Sequence, residues 1–187
     1  MKPLDAKHSN SVVGEPSFPL SNRMIRALWN ITWLLLASWT PPPLNPWRRF
    51  LLRLFGAKIA STARIYGSAK IWFPPYLTMG EHSVLAWGAL CYSQAPIVLE
   101  DFVVVSQRAH LCAGTHDIDD PNFQLLTKPI LLKRKAWVAA DTFIGPGVTV
   151  GEGAVIGARA VVFKDVDPWS VFVGNPARFV KMRKCHP

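Results

Sequence analysis

The chain has 187 residues, half of them apolar and 18% charged, which suits one domain with a sizeable core and excludes a chain disordered throughout. Its formal net charge of +9 favours anionic partners: nucleic acid, phosphorylated cofactors or an acidic membrane surface. The three cysteines, Cys91, Cys112 and Cys185, are odd in number and not spaced as metal ligands, so a disulfide framework or a zinc knot is not expected and a reducing cytoplasm fits.

Residues 1–18 are polar and contain Pro16, and they predict a mobile tail. The first apolar run begins only near Ala27, after this polar lead, which does not suit a secretory signal. That run, Ala27–Trp39, is 13 residues long and holds Asn30. A membrane span needs about 20 apolar residues, so no crossing helix is expected. Residues 19–57 read as a helical extension. Ser21 is placed as the cap of a helix reaching about Ser38, and Pro41–Pro43 stops it. Asn45 as cap and Pro46 as first residue open a second helix through about Phe55. The two helices hold Trp29, Trp33, Trp39 and Trp47 among Arg23, Arg26, Arg48, Arg49 and Arg53. Aromatics mixed with arginines suit a peripheral membrane contact. They equally suit a cover over exposed strand edges, which is the preferred reading.

From residue 58 to 184 the pattern changes. Leu132, Val138, Ile144, Val150, Ile156 and Val162 stand six apart. Glycine or alanine follows four of them: Ala139, Gly145, Gly151 and Gly157. Four places after each aliphatic come Ala136, Thr142, Val148, Ala154, Ala160 and Val166, all small or β-branched. The same step links Ile59, Ile65, Ile71 and Leu77, then Met79, Leu85 and Cys91, then Leu99, Val105 and Leu111. Neither a helix nor a flat strand has this period. A triangular solenoid does, with three six-residue sides and about 18 residues per turn. Each aliphatic residue points inward, the small slot lies near a corner, and glycine permits the bend. Successive turns stack as parallel strands about 4.8 Å apart, which makes a parallel β-helix. Two slips of register, from Leu77 to Met79 and from Cys91 to Leu99, predict bulges or corner adjustments. Residues 117–131 leave the pattern altogether and predict a long loop outside the prism.

The stretch "IGPGVTVGEGAVIGARAVVFKDVDPWSVFVGNPARFVKMRK" (Ile144–Lys184), with "GTHD" and "KPILLKRKAWVAADTFIG", resembles the hexapeptide-repeat O-acetyltransferases. It is most similar to those of colanic acid biosynthesis, with the maltose, galactoside and nodulation-factor enzymes as relatives. The resemblance implies a left-handed β-helix, an exception to the right-handed crossover rule. It implies a homotrimer, acetyl-CoA as donor and a sugar hydroxyl of a polysaccharide or glycolipid precursor as acceptor, with no metal and no nucleic-acid partner. It assigns His116 as catalytic base. An imidazole with a pKa near 6.5 can take a hydroxyl proton at neutral pH, and the oxygen then attacks the thioester directly. The oxyanion needs donors, from backbone N–H groups or a neighbouring subunit. Asp117 or a backbone carbonyl would orient the ring.

For the cofactor, the resemblance places Ala140 and Ala158 along the pantetheine slot and Trp137 beside the acetyl pocket. It places Lys164, Arg178 and Lys181 at the nucleotide phosphates, where fork geometry and point charge serve. Tyr92 and Ser93, with Asp117, lie on the acceptor side. Phe163 replaces a threonine of many relatives, and "LKRK" (Leu132–Lys135) replaces an acidic pair, adding charge beside the loop. Three rivals remain. A γ-carbonic-anhydrase-like zinc enzyme would use His82, His110 and His116, which could meet only across subunits. A Cys112–His116 pair could form an acyl-enzyme, although a small structural role suits Cys112 better, and Cys91 points inward by register. A non-catalytic scaffold would use none of these residues.

Overall fold

The computed structural model describes residues 3–7 and 14–184. The first coil carries β1 (Lys58–Ile59), β2 (Arg64–Ile65) and β3 (Lys70–Ile71). The second carries β4 (Leu77–Met79), β5 (Val84–Leu85) and β6 (Leu90–Tyr92), and the third β7 (Ile97–Leu99), β8 (Val104–Val105) and β9 (His110–Cys112). After an excursion, β10 (Gly114–His116) and β11 (Leu125–Thr127), come β12 (Ile130–Leu132), β13 (Trp137–Val138) and β14 (Phe143–Ile144). Then follow β15 (Thr149–Val150), β16 (Val155–Ile156) and β17 (Val161–Val162), and last β18 (Ser170–Val173) and β19 (Arg178–Met182).

These strands stack into three walls, the expected left-handed parallel β-helix. Wall A is β1-β4-β7-β12-β15, wall B is β2-β5-β8-β13-β16-β18, and wall C is β3-β6-β9-β14-β17. Pairing is parallel within the walls; β19 closes wall B antiparallel to β18. The residues of the six-step face inward: Ile65, Leu85, Val105, Val138 and Ile156 are all buried along wall B. The small slots, among them Ala63, Val103, Ala109, Ala136, Ala154 and Ala160, are buried too.

Two details differ from the repeat as read. The 18-residue coil holds late, where Leu131 faces Thr149, but Lys58 faces Thr78, 20 residues on. The first-coil surplus sits where the first slip predicts it: a 3-10 turn, Pro74–Tyr76, occupies the corner before β4, so that Leu77 and Met79 both face inward from one strand. Glycine, moreover, is not what bends most corners. His82, Phe102, Arg108, Lys135, Asp141, Arg159 and Trp169 take the left-handed conformation, with φ between 56° and 60°. The coils above and below fix these positions strongly enough to hold a conformation that L-residues disfavour. Gly151 has a different reason to be small: a Cβ there would overlap the backbone of Pro168 in the next coil.

The helical extension seals the N-terminal end of the prism. It contains α1 (Leu20–Leu36), a 3-10 turn (Pro42–Leu44) and α2 (Asn45–Leu54). Ser21 lies inside α1, which Pro19 precedes without any side-chain cap. Asn45 is the first residue of α2 rather than its cap, because its amide serves the first coil instead. Its Nδ2 donates to Ala63 O at 2.8 Å, and its Oδ1 accepts from Ile65 N at 2.9 Å. Arg53 donates to Ile59 O, Arg49 to Ala63 O and Arg48 to Ile65 O, at 2.8, 3.1 and 2.7 Å. Trp33 Nε1 donates to Gly67 O and Ala69 O, and Trp29 Nε1 to Ile71 O. The downward carbonyls of the first coil are thus satisfied by side chains, where an open edge would leave them bare. Burial lowers the pKa of Arg48, yet each of its guanidinium nitrogens has carbonyl partners.

The tail expected to be mobile makes definite contacts where it is described. Ala6 N donates to Gln124 Oε1 at 2.7 Å, Gln124 Nε2 donates to Leu4 O, and Phe18 packs edge-on to Trp72. The remainder of that expectation, and Cys185, fall outside the described residues.

Candidate active site

The chain leaves wall C after Cys112 and returns to wall A at Ile130. Between them β10 and β11 pair antiparallel, with Gly114 opposite Thr127 and His116 opposite Leu125. The excursion is therefore a hairpin rather than the loose 117–131 loop of the sequence reading, and Ile130 and Leu131 already belong to β12. Close packing seats it: a Cβ on Gly114 would overlap Gln94 Oε1, and Gln94 Nε2 in turn donates to the Tyr92 hydroxyl at 3.0 Å. At the tip, Asp117 Oδ1 accepts from Asp119 N and Asp120 Oδ1 from Asn122 N, both side-chain turns.

His116 Nδ1 lies 2.8 Å from Phe123 O, and the imidazole stacks on the Phe123 ring at 4.2 Å between centroids and 10° between planes. A carbonyl only accepts, so Nδ1 carries the proton and Nε2 keeps its lone pair free. Of the two orienting groups considered, the backbone carbonyl fills the role; the Asp117 carboxylate is used in its own turn. Phe123 holds φ at 54°, a left-handed value that aims this carbonyl. Nothing in the sequence singled it out beyond an aromatic residue seven places after the histidine.

Wall C beside the hairpin presents Tyr92, His110 and Phe143 outward, with His110 edge-on to both rings. Burial lowers the pKa of His110 and raises that of Tyr92. Ser93 cannot be an acceptor-side residue. It is fully buried, and its hydroxyl accepts from Phe73 N at 3.0 Å and donates to Phe73 O at 3.1 Å. Burial pushes the Cys91 thiol up to about 12, leaving it inert. Cys112 donates its thiol to Gly114 O.

The other assigned residues lie elsewhere. Trp137, on β13 of wall B, is 45% exposed and donates its indole N–H to Ser106 Oγ at 3.0 Å. It lines a groove of about 460 Å³ with Phe102, Lys135, Trp169 and Arg183. Ala140 and Ala158 stack on the corner between walls B and C, where Arg159 N donates to Ala140 O. Arg178 and Lys181 stand exposed on β19. Lys164 follows β17, on the same corner as the hairpin. One chain therefore brings His116 and Lys164 to one corner, and Trp137, Ala140, Ala158, Arg178 and Lys181 to wall B and its far corner. The charges of "LKRK" are not beside the hairpin but at the opposite end of β12, where Lys133 pairs with Glu100 and Arg134 with Glu152. Phe163 is exposed and tilts against Phe143.

Within one chain the three histidines of the zinc reading lie apart. His82 stacks on Phe102 at the corner of walls A and B, His110 lies on wall C, and His116 is on the hairpin. Among the described residues, no three His, Cys, Asp or Glu side chains gather as a metal set.

A six-residue parallel β-helix with a histidine hairpin thrown from one corner defines a hexapeptide-repeat protein. No protein-family model matches the chain. It is 40% identical over 156 residues to WcaF of Escherichia coli K12, named as a colanic acid biosynthesis acetyltransferase, across 83% of this chain and 86% of WcaF. The chain belongs to the hexapeptide-repeat acetyltransferase family. Its fold matches that of the hexapeptide-repeat acetyltransferase VCA0836 of Vibrio cholerae, solved with acetyl-CoA: TM-score 0.78, 23% identity, 89% of this chain and 91% of that one. It also matches a galactoside acetyltransferase solved with coenzyme A: TM-score 0.81, 18% identity, 96% and 91% of the two chains.

Proposed function

We propose that the protein transfers acetyl from acetyl-CoA to a sugar hydroxyl of a polysaccharide or glycolipid precursor in the cytoplasm, with His116 as general base. The observation that carries this reading is the His116 imidazole, its Nδ1–H committed to Phe123 O and its Nε2 left free. Nε2 takes the hydroxyl proton while the sugar oxygen bonds to the thioester carbonyl carbon. The carbon–sulfur bond then breaks, and the imidazolium returns the proton to the departing sulfur. Tyr92 and Asp117 face the acceptor.

The donor side fits coenzyme A in chemistry. Small Ala140 and Ala158 leave room for a narrow arm, Trp137 offers an apolar wall, and Lys164, Arg178 and Lys181 are exposed cations suited to phosphates. Lys164 sits on the hairpin corner and the others on wall B and its far corner. In a homotrimer the hairpin corner of one protomer meets wall B of the next, and the ring closes with three equivalent clefts. The names of WcaF and of the galactoside enzyme support a sugar acceptor.

The test is release of thiol from acetyl-CoA in the presence of candidate sugar acceptors, using wild type and His116→Ala. Acceptor-dependent release that His116→Ala abolishes, in a protein with an unchanged circular dichroism spectrum, supports the reading. Release that survives the substitution, or absence of acetyl-CoA binding, refutes it.

A further inference from the structure

We propose that the outer face of α1, together with the turn into α2, docks in the plane of an anionic lipid bilayer. The inference does not rest on the transfer chemistry.

Helix α1 is apolar on two sides. Trp29 and Trp33 are buried against the first coil. On the other side Leu20, Met24, Leu28, Ile31 and Leu35 form a stripe at spacings of four and three, and every one is exposed, Leu28 by 59% and Leu35 by 61%. A helix serving only as a cover would carry polar residues there. The stripe continues past the helix end into Trp39, Trp47, Phe50 and Leu54, also exposed.

The helix terminus supplies a second, independent observation. The last four carbonyls of a helix have no partner within the helix and are met by side chains, by backbone N–H groups past the end or by water. In α1 each has a protein donor. Trp33 O accepts from Ala37 N and Ser38 N. Leu34 O accepts from Ser38 Oγ at 2.9 Å, Leu35 O from Trp39 Nε1 at 2.8 Å, and Leu36 O from Trp47 Nε1 at 2.8 Å. Two exposed indoles thus spend their only polar atoms on the helix end and turn apolar rings outward. Water can serve an exposed helix end, whereas in lipid a bare carbonyl is costly, and two indole caps leave none bare.

Charge selects the occupant. No acidic residue stands between Glu15 and Glu81, while eight arginines and lysines do. Arg48, Arg49 and Arg53 donate to the seal, while Arg23 on α1 and Lys58, Arg64 and Lys70, one on each wall of the first coil, are exposed. An apolar strip at a cationic end of the molecule complements anionic headgroups over acyl chains. A second copy of the same face would oppose it with like charge. No helix among the described residues is long and apolar enough to cross a membrane, so the contact lies in the plane.

The test is co-sedimentation of the full chain with vesicles of phosphatidylglycerol and phosphatidylethanolamine, against vesicles of phosphatidylcholine alone. Wild type binds the anionic vesicles, less so as salt rises, with a blue shift of tryptophan emission. Leu28→Glu with Leu35→Glu lowers the bound fraction by about tenfold without changing the melting profile. Arg23→Gln weakens binding modestly and flattens its salt dependence. The proposal is overturned if wild type ignores anionic vesicles, or if the double variant binds as well as wild type. It is equally overturned if sedimentation velocity shows this face joining copies of the chain while vesicles go unbound.

Discussion

The hairpin that carries His116 and the wall that carries Trp137 are held by different means. In wall B, Val104, Trp137 and Val155 take their places from ladders above and below, so each position is set by its neighbours in the stack. The hairpin has no such stack. Its seat is the fit of Gly114 against Gln94, and the imidazole is oriented by one bond to Phe123 O and by stacking on the Phe123 ring. A repetitive scaffold supplies rigidity and can bury any aliphatic residue at its inner positions. The irregular excursion supplies the single chemically distinctive group. Damage to the first should appear as lost stability, and damage to the second as lost activity.

The contrast is sharpest at His116. His116→Ala should lower turnover by a hundredfold to ten-thousandfold with the fold intact, read in an acetyl-CoA thiol-release assay. Inside the stack, Leu132→Ala removes a fully buried side chain. It should cost about 2–5 kcal/mol in denaturant unfolding, with the folded fraction still active. Gly114→Ala tests whether the seat matters. The added methyl overlaps Gln94, so kcat should fall by about tenfold to a hundredfold with little change in melting temperature. An unchanged kcat would show that the hairpin is held elsewhere. Replacing Arg178 and Lys181 together by Gln should raise the KM for acetyl-CoA about tenfold and spare kcat.

The smallest effect concerns pH. Burial lowers the pKa of His110 from its ordinary 6.5, so below that pH the unfolded chain takes up a proton more readily than the folded one. The resulting stability is present in full above pH 6.5 and is lost as pH falls through the folded-state value. Wild type should therefore lose more melting temperature than His110→Gln on acidification to about pH 5.5.

The walls were legible because each inward position repeats one environment, and the six-step from Leu132 to Val162 states it plainly. The two slips foretold the corner insertions, and two extra residues on an 18-residue turn make the 20-residue coil in which Lys58 faces Thr78. Ser93 was misplaced although a signal existed. With Cys91 inward, alternation sends Tyr92 out and Ser93 in, where it is buried. The orientation of His116 left only the aromatic Phe123 as a trace in the sequence. The ring stacks on that side chain, but the bond goes to its main-chain oxygen, which any residue at position 123 possesses. Composition alone left the N-terminal helices open between a cover and a membrane contact. The inner Arg and Trp donors became visible as a seal once the carbonyls they meet had positions.

That seal bears on how long the column can grow. A β-helix has no intrinsic stopping point, since each finished coil offers a template for another, including one from a different molecule. By filling the oxygens of Ile59, Ala63, Ile65 and Ile71 with guanidinium, amide and indole hydrogens, the chain terminates its own polymerisation at one extremity. A capped edge of this kind disfavours open-ended stacking.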